Sequence, residues 1–462
     1  MTMINKINFR PTAYRTALRT FLGLKGLSSF SIWKFLKDSQ WWSNEQIRLY
    51  QDEQLRKLID HSYAHVAYYR NLMKQNGLRP SDFQSTSDLV KLPILTKNDV
   101  RAHWQELVAD NRDTGKISLR RTGGSTGQPL NVMTDYTSGS WEAASYYRGL
   151  GFSGYQPGEK MVVLFGGSLG LRPQTFVNEL KRRFAGEVFL SALEINRDNI
   201  EDHVARINHG GAKFIRGYTS AMFLLAKYAE EKGLQLSLLA AFPTAETLHE
   251  YERRCFERVF HTEVFNQYGC GECNSIAFEC PSHNVLHASD ENVLIECLNE
   301  YKPVKEKIGL LTITPLHNYA FPLIRYQNGD VVSITDTKCV CGRGLSSITK
   351  VYGRENDMLV TKDGRLITAS FLPSFCVNHS FEGVQQFQII QKSQDIMHLI
   401  VVRTSDFREG NLMTLRKTFR QYLGEIEIVV KYVNNIPKTE AGKHKYVINE
   451  MDIKSMLIGN EP

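Results

Sequence analysis

The sequence predicts an α/β protein: a large N-terminal domain of several subdomains, its central sheets covered by helices, plus a small mobile α+β domain at the C-terminus. Three observations predict it. At 462 residues the chain exceeds one ordinary hydrophobic core. From 175 to 330, short apolar runs alternate with helix-period stretches, the rhythm of a sheet covered on both faces. After Gly353-Arg354 the texture changes to a compact succession of strands and one helix. The expected divisions are 1–80, an N-terminal helical segment of the large domain, then 81–353, then 354–462.

The elements follow in order. Residues 44–76 carry Ile47, Leu49, Leu55, Leu58 and Ile59 near helical spacing, with Ser43 or Asn44 as N-cap. Lys91 to Asp99 reads as a turn opening a helix capped by Thr96, and 137–150 as a helix rich in Ser, Trp and Tyr. Lys160–Phe165 is a short buried strand running into Gly166-Gly-Ser-Leu-Gly170, which lacks dinucleotide-site spacing. Strands are expected at 213–216 and 238–242, helices at 221–231 and 249–260, and more antiparallel strands at 293–297, 309–315 and 330–335. Beyond the boundary come a hairpin about Lys362-Asp-Gly-Arg365, strands at 384–392 and 396–403, a helix at 409–422 and a strand at 426–433.

Composition is that of an ordinary globular protein, 42% hydrophobic and 23% charged. No apolar run reaches membrane-spanning length and no secretory signal is expected, so the cytoplasm is the expected compartment. The net charge of +7 is uneven: Lys6, Arg10, Arg15, Arg19, Lys25, Lys34 and Lys37 precede the first acidic residue, Asp38. A solvated basic helix pair is the leading reading of that segment. An anionic membrane surface, placing the chain at the inner face of a membrane, and an organellar transit peptide are the others. Nucleic acid is not expected as a partner, because the other basic residues are diluted among acids.

Five stretches carry chemistry, each with a plainer reading beside it. Thr122-Gly-Gly-Ser-Thr-Gly-Gln-Pro129 offers backbone N–H groups and hydroxyls to a polyanion such as a triphosphate; otherwise it is a surface loop. Asn266-Gln-Tyr-Gly-Cys-Gly-Glu272 sets an aromatic face for a purine near a carboxylate for Mg²⁺, or is a simple turn. Ile324 to Asp330 ends a strand with Gly-Asp, a carboxylate suited to ribose hydroxyls or a β-turn favoured for backbone reasons. Gly353-Arg-Glu-Asn-Asp357 is a hinge or a polar linker, and Pro437 to Lys443 presents a lysine on a loop, for a phosphate under attack or for solvent alone.

In this order and spacing the five stretches resemble the adenylate-forming superfamily, specifically the phenylacetate–CoA ligase branch that includes the capsule-biosynthesis CapK-like proteins. The resemblance runs from Tyr68-Tyr69-Arg70 and Leu92-Pro93…Thr96-Lys97 to Gly442-Lys443. It implies that Thr122, Gly123, Gly124, Ser125, Thr126 and Gly127 wrap the ATP phosphates. Tyr268, with Gly269, would lie at the adenine. Glu272 would bind Mg²⁺, and Asp330 the ribose, assisted by Arg354. Asn356 would be the hinge. Lys443 would bridge the carboxylate and the α-phosphate, which makes Lys443 and Glu272 the catalytic pair. Residues 81–353 would then bind ATP and the acid, and 354–462 would carry the catalytic lysine.

The pattern has three departures. Ala245-Glu246 stands where a Gly-Glu is usual, Glu246 being counted with the nucleotide site. Gln128 replaces the loop lysine, which also excludes the kinase-like phosphate loop. Asn356 replaces an aspartate.

Of eight cysteines (Cys255, Cys270, Cys273, Cys280, Cys297, Cys339, Cys341 and Cys376), some branch members resemble the arrangement Cys280, His287, Cys339 and Cys341. That is a Cys₃His set for structural Zn²⁺. His283 is a substitute for His287; a site on Cys270 and Cys273 and no metal at all are the rivals. The function implied is ATP-dependent, AMP-forming activation of a carboxylic acid and its transfer to coenzyme A. A sugar or amine acceptor in surface polysaccharide synthesis is the alternative, and a non-catalytic nucleotide-binding protein the other. Peripheral membrane association and a homodimer are the assemblies considered. Trp141, Tyr146, Tyr147 and Phe165 line an aryl pocket or belong to the core.

Overall fold

Before residue 355, parallel and antiparallel strands separate along the chain into distinct sheets, and Tyr268, Asp330 and Arg354 all lie in the antiparallel one. The computed structural model describes residues 29–122, 130–165, 186–192, 194–299, 302–355, 358–364, 366–368, 383–437 and 447–451. In chain order, α1 is Ser29–Ser39, α2 Asn44–His65, α3 Ala67–Gln75 and α4 Lys97–Ala102; β1 (Ile117–Thr122) and β2 (Leu130–Asp135) form a hairpin leading into α5 (Tyr136–Leu150). In α1, Trp33 and Leu36 are buried while Lys34 and Lys37 are exposed, as an amphipathic packing helix requires.

The expected helix 44–76 is two helices. Ser43 caps α2 through a capping box with Gln46, and Val66 interrupts it at φ −120°, ψ 110°. Two causes act there: the Val66 side chain is fully buried, and the His65 carbonyl accepts from the Asp110 N–H instead of continuing the helical ladder.

A five-stranded parallel sheet follows, built from β3 (Met161–Phe165), β4 (Glu187–Ser191), β5 (Phe214–Tyr218), β6 (Ala240–Thr244) and β7 (Glu263–Val264) in the order β4-β3-β5-β6-β7. Strand alternation sends Val162, Leu164, Ile215 and Ala241 toward α6 (Ile200–Gly210), α7 (Thr219–Glu231) and α8 (Glu250–Phe260). Met161, Phe214, Ala240 and Phe242 face the other way and pack with Tyr146 and Leu150 of α5. Both faces are therefore covered, the arrangement parallel sheets require.

The next strands are antiparallel: β8 (Gln267–Tyr268), β9 (Ala277–Glu279), β10 (Leu286–Ala288), β11 (Val293–Asn299), β12 (Lys302–Pro303), β13 (Ile308–Pro315), β14 (Tyr326–Thr335) and β15 (Ser347–Arg354). Their order, β12-β11-β13-β14-β15-β10-β9-β8, sets β8 and its Tyr268 at one edge. A buried Arg148–Glu291 pair at 3.0 Å, with Ser39 Oγ donating to Glu291 at 2.5 Å, ties α5 and the end of α1 to this sheet.

The C-terminal strands are β16 (Met358–Val360) and β17 (Leu366–Thr368), the expected hairpin, then β18 (Val384–Gln391), β19 (Ile396–Arg403), α9 (Gly410–Leu423), β20 (Glu427–Tyr432) and β21 (Val447–Asn449). The mixed sheet β20-β19-β18-β21 packs on α9 through Phe387, Ile389, Leu399, Phe419 and Leu423, a core of its own. No described helix is long and apolar enough to cross a membrane.

Candidate nucleotide site and thiol cluster

Four of the predicted residues converge where β8, β14 and β15 approach one another. Register does part of the work, because Asp330 of β14 pairs directly with Arg354 of β15. Arg354 Nε lies 2.7 Å from Asp330 Oδ1, and its Nη1 donates to the Asn328 carbonyl at 2.9 Å. The Tyr268 hydroxyl donates to Asp330 Oδ2 and accepts from Asn328 Nδ2 at 2.8 Å, while Asn328 Nδ2 also reaches Asp330 at 2.8 Å. Burial, then the Asp330 charge, raises the Tyr268 pKa, so this phenol stays a donor. Burial opposes the charge on Arg354, but Asp330, Tyr268 and Glu272 outweigh it and its pKa is raised.

Glu272 is 5% exposed and accepts from the Tyr326 hydroxyl at 2.7 Å. One oxygen of a buried carboxylate is thus fixed in direction, which suits a hard cation ligand.

The glycine-rich loop attaches directly beside this cluster. Thr122 and Leu130 are the last pair of the β1–β2 hairpin, and the Leu130 N–H donates to Thr122 Oγ1 at 3.3 Å. Thr122 packs so tightly on the Tyr268–Glu272 turn that a Cβ on Gly271 would meet its Cγ2 at 2.8 Å. Arg120 of β1 pairs with Glu142 of α5 at 2.6 Å, and Glu142 accepts from the Asn274 N–H at 3.2 Å, so hairpin, helix and turn are locked together. Gly123, Gly124, Ser125, Thr126 and Gly127, the hinge Asn356, and the catalytic candidate Lys443 lie outside the described residues.

Glu246 stands apart from this network and is exposed. It accepts from the Ser220 N–H at 2.7 Å and the Ser220 hydroxyl at 3.0 Å, capping the start of α7. Its neighbour Ala245 has φ +66°, a left-handed conformation that favours glycine. Of the aromatic quartet, Tyr146 and Phe165 approach each other across Arg216, whereas Trp141 stacks on His317 at 3.8 Å and Tyr147 packs partly toward α1.

The predicted thiol set is also assembled. Cys280 and His287 flank the β9–β10 turn, and Cys339 and Cys341 lie on the loop before β15; their donor atoms all fall within 4.8 Å of one another. Cys280 Sγ and Cys339 Sγ are 3.7 Å apart, and Cys341 Sγ is 3.2 Å from His287 Nε2. Zn–S bonds of about 2.3 Å at a tetrahedral angle would separate two sulfurs by about 3.8 Å, so the donor spacing fits zinc. Burial and Arg343 push His287 down to about 4, keeping its imidazole neutral, and burial pushes Cys280 up to about 11. Burial opposes ionisation of Cys339 too, but hydrogen bonds from Ser282 and Cys341 win and lower its pKa. His283 instead faces Glu279 at 3.3 Å. Cys270 and Cys273 are buried free thiols with raised pKa values; Cys270 lies inside the nucleotide turn, and neither belongs to the thiol cluster.

Sequence reasoning missed Lys97, Asn328 and Tyr326. Lys97 follows Thr96, which caps α4 through a box with Asp99, and Leu95 pairs with β14 through N–H and carbonyl bonds to Arg325 and Gln327. That latch sets Lys97 beside Gly329, whose absent Cβ would meet Lys97 Nζ at 3.6 Å. Burial and Arg354 lower its pKa, against Glu272 and Asp330. The one available signal was a lysine in the cap of a helix-opening turn, a common surface feature.

Comparison with known proteins agrees with this geometry. Over 88% of this chain and 90% of the other, the fold superposes on 2-hydroxyisobutyryl-CoA ligase in its postadenylation state, with TM-score 0.66 at 18% identity. The fold is thus that of the adenylate-forming CoA ligases. Residues 359–450 match the family model of the CapK C-terminal domain. Its relatives include Protein CapK of Staphylococcus aureus, 24% identical over 87% of this chain and 89% of that one. The phenylacetate-coenzyme A ligase of Thermus thermophilus is 28% identical over 69% of this chain and 72% of its own length.

Proposed function

We propose that this chain is an ATP-dependent, AMP-forming ligase that activates a carboxylic acid as its acyl-adenylate and passes the acyl group to coenzyme A. The observation that carries the reading is the convergence of Tyr268, Glu272, Asp330 and Arg354 against the base of the Thr122–Leu130 loop. These four residues come from three separated stretches, and the result is an aromatic ring, a ribose-competent carboxylate and a buried carboxylate brought close together.

In the reaction, a carboxylate oxygen of the acid attacks the α-phosphorus of ATP, and the bond to the pyrophosphate oxygen breaks. Charge accumulates on the phosphorus oxygens in the transition state, and fixed cations lower that barrier. Lys443 is assigned this role, and Lys97 adds a large-domain cation that Gln128 does not supply. Mg²⁺, held by Glu272, would screen the phosphates. The acceptor thiol then attacks the acyl carbon, and AMP leaves. Between the two steps the segment 354–462 would turn about Asn356 relative to 81–353.

Cys280, His287, Cys339 and Cys341 are assigned to a structural Zn²⁺ that pins the β9–β10 turn to the loop before β15. The long match to CapK favours one second reading, in which the acceptor is an amine or hydroxyl of a surface-polysaccharide precursor.

The test is pyrophosphate release with ATP and a panel of aryl, fatty, amino and uronic acids, first without and then with coenzyme A. Acid-dependent release with thioester formation is expected. Release without any response to coenzyme A would move the acceptor to the second reading, and no release with any acid would overturn the catalytic one.

A further inference from the structure

Among the described residues, one cation near the proposed site forms no ion pair with an acid. Arg216 lies on β5 two residues before its end, on the face that packs toward α5, as the burial of Phe214 against Leu150 and Met161 shows. Its guanidinium carbon sits 4.8 Å from the Tyr146 ring and 5.1 Å from the Phe165 ring, and Phe165 in turn meets Tyr218 edge-on at 5.1 Å. Phe165 and Tyr218 are the last residues of β3 and β5, so this cluster lies at the carboxyl edge of the parallel sheet, where such sheets bind ligands.

Its polar partners are neutral: Nε donates to Gln267 Oε1 at 3.4 Å, and the Tyr146 hydroxyl is also in reach. Five other enclosed arginines are paired with acids, while Arg343 likewise lies against two rings, Trp41 and Phe152, and bonds the neutral Gln40 side chain. Arg120, Arg148, Arg253, Arg325 and Arg354 each face a carboxylate, Glu142, Glu291, Glu279, Glu296 and Asp330 respectively. Among the described residues no carboxylate forms an ion pair with Arg216. Rings stacked on a guanidinium hold its plane and leave its edge as a fork for two parallel hydrogen bonds, the geometry that matches a carboxylate.

The location ties this cation to the nucleotide cluster. Gln267, which touches Arg216, and Tyr268, which touches Asp330, are consecutive residues of β8. Gln267 is itself fixed, donating to the Phe242 carbonyl at 3.2 Å. An acid whose reactive carboxyl lies beside the nucleotide would therefore direct its far end toward the Tyr146 and Phe165 rings.

We propose that Arg216 sets substrate specificity, and that the acid activated by this chain bears a second carboxylate, remote from the one adenylated. This rests on the adenylate-forming reading above. The aromatic walls would hold the body of the acid and Arg216 its far charge.

The experiment measures binding of two acyl-sulfamoyl adenosines to the full chain by calorimetry, one with a phenylacetyl group and one with a 4-carboxyphenylacetyl group. The carboxylated analogue is expected to bind ~10- to 100-fold tighter. In Arg216→Gln that ratio should fall to about one, and Arg216→Lys should restore part of it, since a point charge replaces the fork. Binding of both analogues with no preference for the second carboxylate, or a preference that survives in Arg216→Gln, overturns the specificity assignment alone. Failure of the wild-type chain to bind either analogue overturns the adenylate reading and the inference with it. Thermal unfolding of each variant confirms that the ratio is read on folded protein.

Discussion

Strand β15 carries a polar cluster at each end, and the two follow opposite electrostatic plans. At its last residue, Arg354 joins Asp330, Tyr268 and Asn328 in a network where every charge already has a partner. At its first residue, Ser347 pairs in register with His287, whose ring nitrogen lies with the thiols of Cys280, Cys339 and Cys341 in a set of donor atoms all within 4.8 Å of one another. The first plan suits a ligand that comes and goes, because internal hydrogen bonds hold the geometry between visits. The second suits a resident metal, because a neutral imidazole and three thiols with closely spaced donor atoms are what a closed tetrahedral site needs.

The largest expected effect tests whether the exchanging cluster is complete by itself. Lys443→Ala should cut acid-dependent pyrophosphate release by about 10³-fold or more, while leaving turnover of a supplied acyl-adenylate intact. Equal loss of both half-reactions would show that the lysine does not belong to the first step. The resident cluster should behave in the opposite way. Elemental analysis is expected to find one zinc per chain, and Cys341→Ser to lose it; at zinc 100- to 1,000-fold above its dissociation constant, that removes about 3–4 kcal/mol of stability in chemical denaturation. Purified protein without stoichiometric zinc would end the metal assignment.

A smaller effect separates the clusters directly. Asp330→Ala should weaken ATP binding by ~10- to 100-fold through loss of a charged hydrogen-bonding partner, without changing zinc content; unchanged ATP affinity would refute the ribose role. Lys97 offers a pH test. Its pKa is lowered by burial and by Arg354, and its protonated form is the one that helps a phosphate. Pyrophosphate release should therefore fall as pH rises through that lowered value, and Lys97→Arg should move this limb to higher pH. An alkaline limb that stays in place would assign it to another group. The smallest effect lies outside both clusters: Ala245→Gly relieves a φ of +66° and should stabilise the fold by about 0.5 kcal/mol, the left-handed strain partly offset by glycine's greater chain entropy. A measured destabilisation would mean the Ala245 methyl is worth more in packing than its backbone costs.

Much of this was legible in the residues. The capping boxes at Ser43 and Thr96, the hairpin at Lys362–Arg365 and the alternation of strands and helices from 213 to 260 all rest on interactions within a few positions of chain. Tyr268, Glu272, Asp330 and Arg354 each sit in a short stretch with a modest chemical cue, and those cues, like the Cys280, His287, Cys339 and Cys341 set, were read as sites only through the order they share with the family the sequence resembles. The interruption of the 44–76 helix was not legible, since it depends on Asp110 reaching His65 across 45 positions.

What the sequence determined by itself, then, was which local segments form and which side chains carry chemistry, because hydrophobic period, caps and turn residues act over one or two turns of chain. Only the tertiary structure decided which of them meet. Tertiary packing places Tyr268 against Asp330 and His287 against Cys341, draws Lys97 to Gly329, and leaves Arg216 among rings with a neutral amide. Those contacts join distant segments whose strand register and packing are set by burial of whole sheet faces and not by any one stretch of residues.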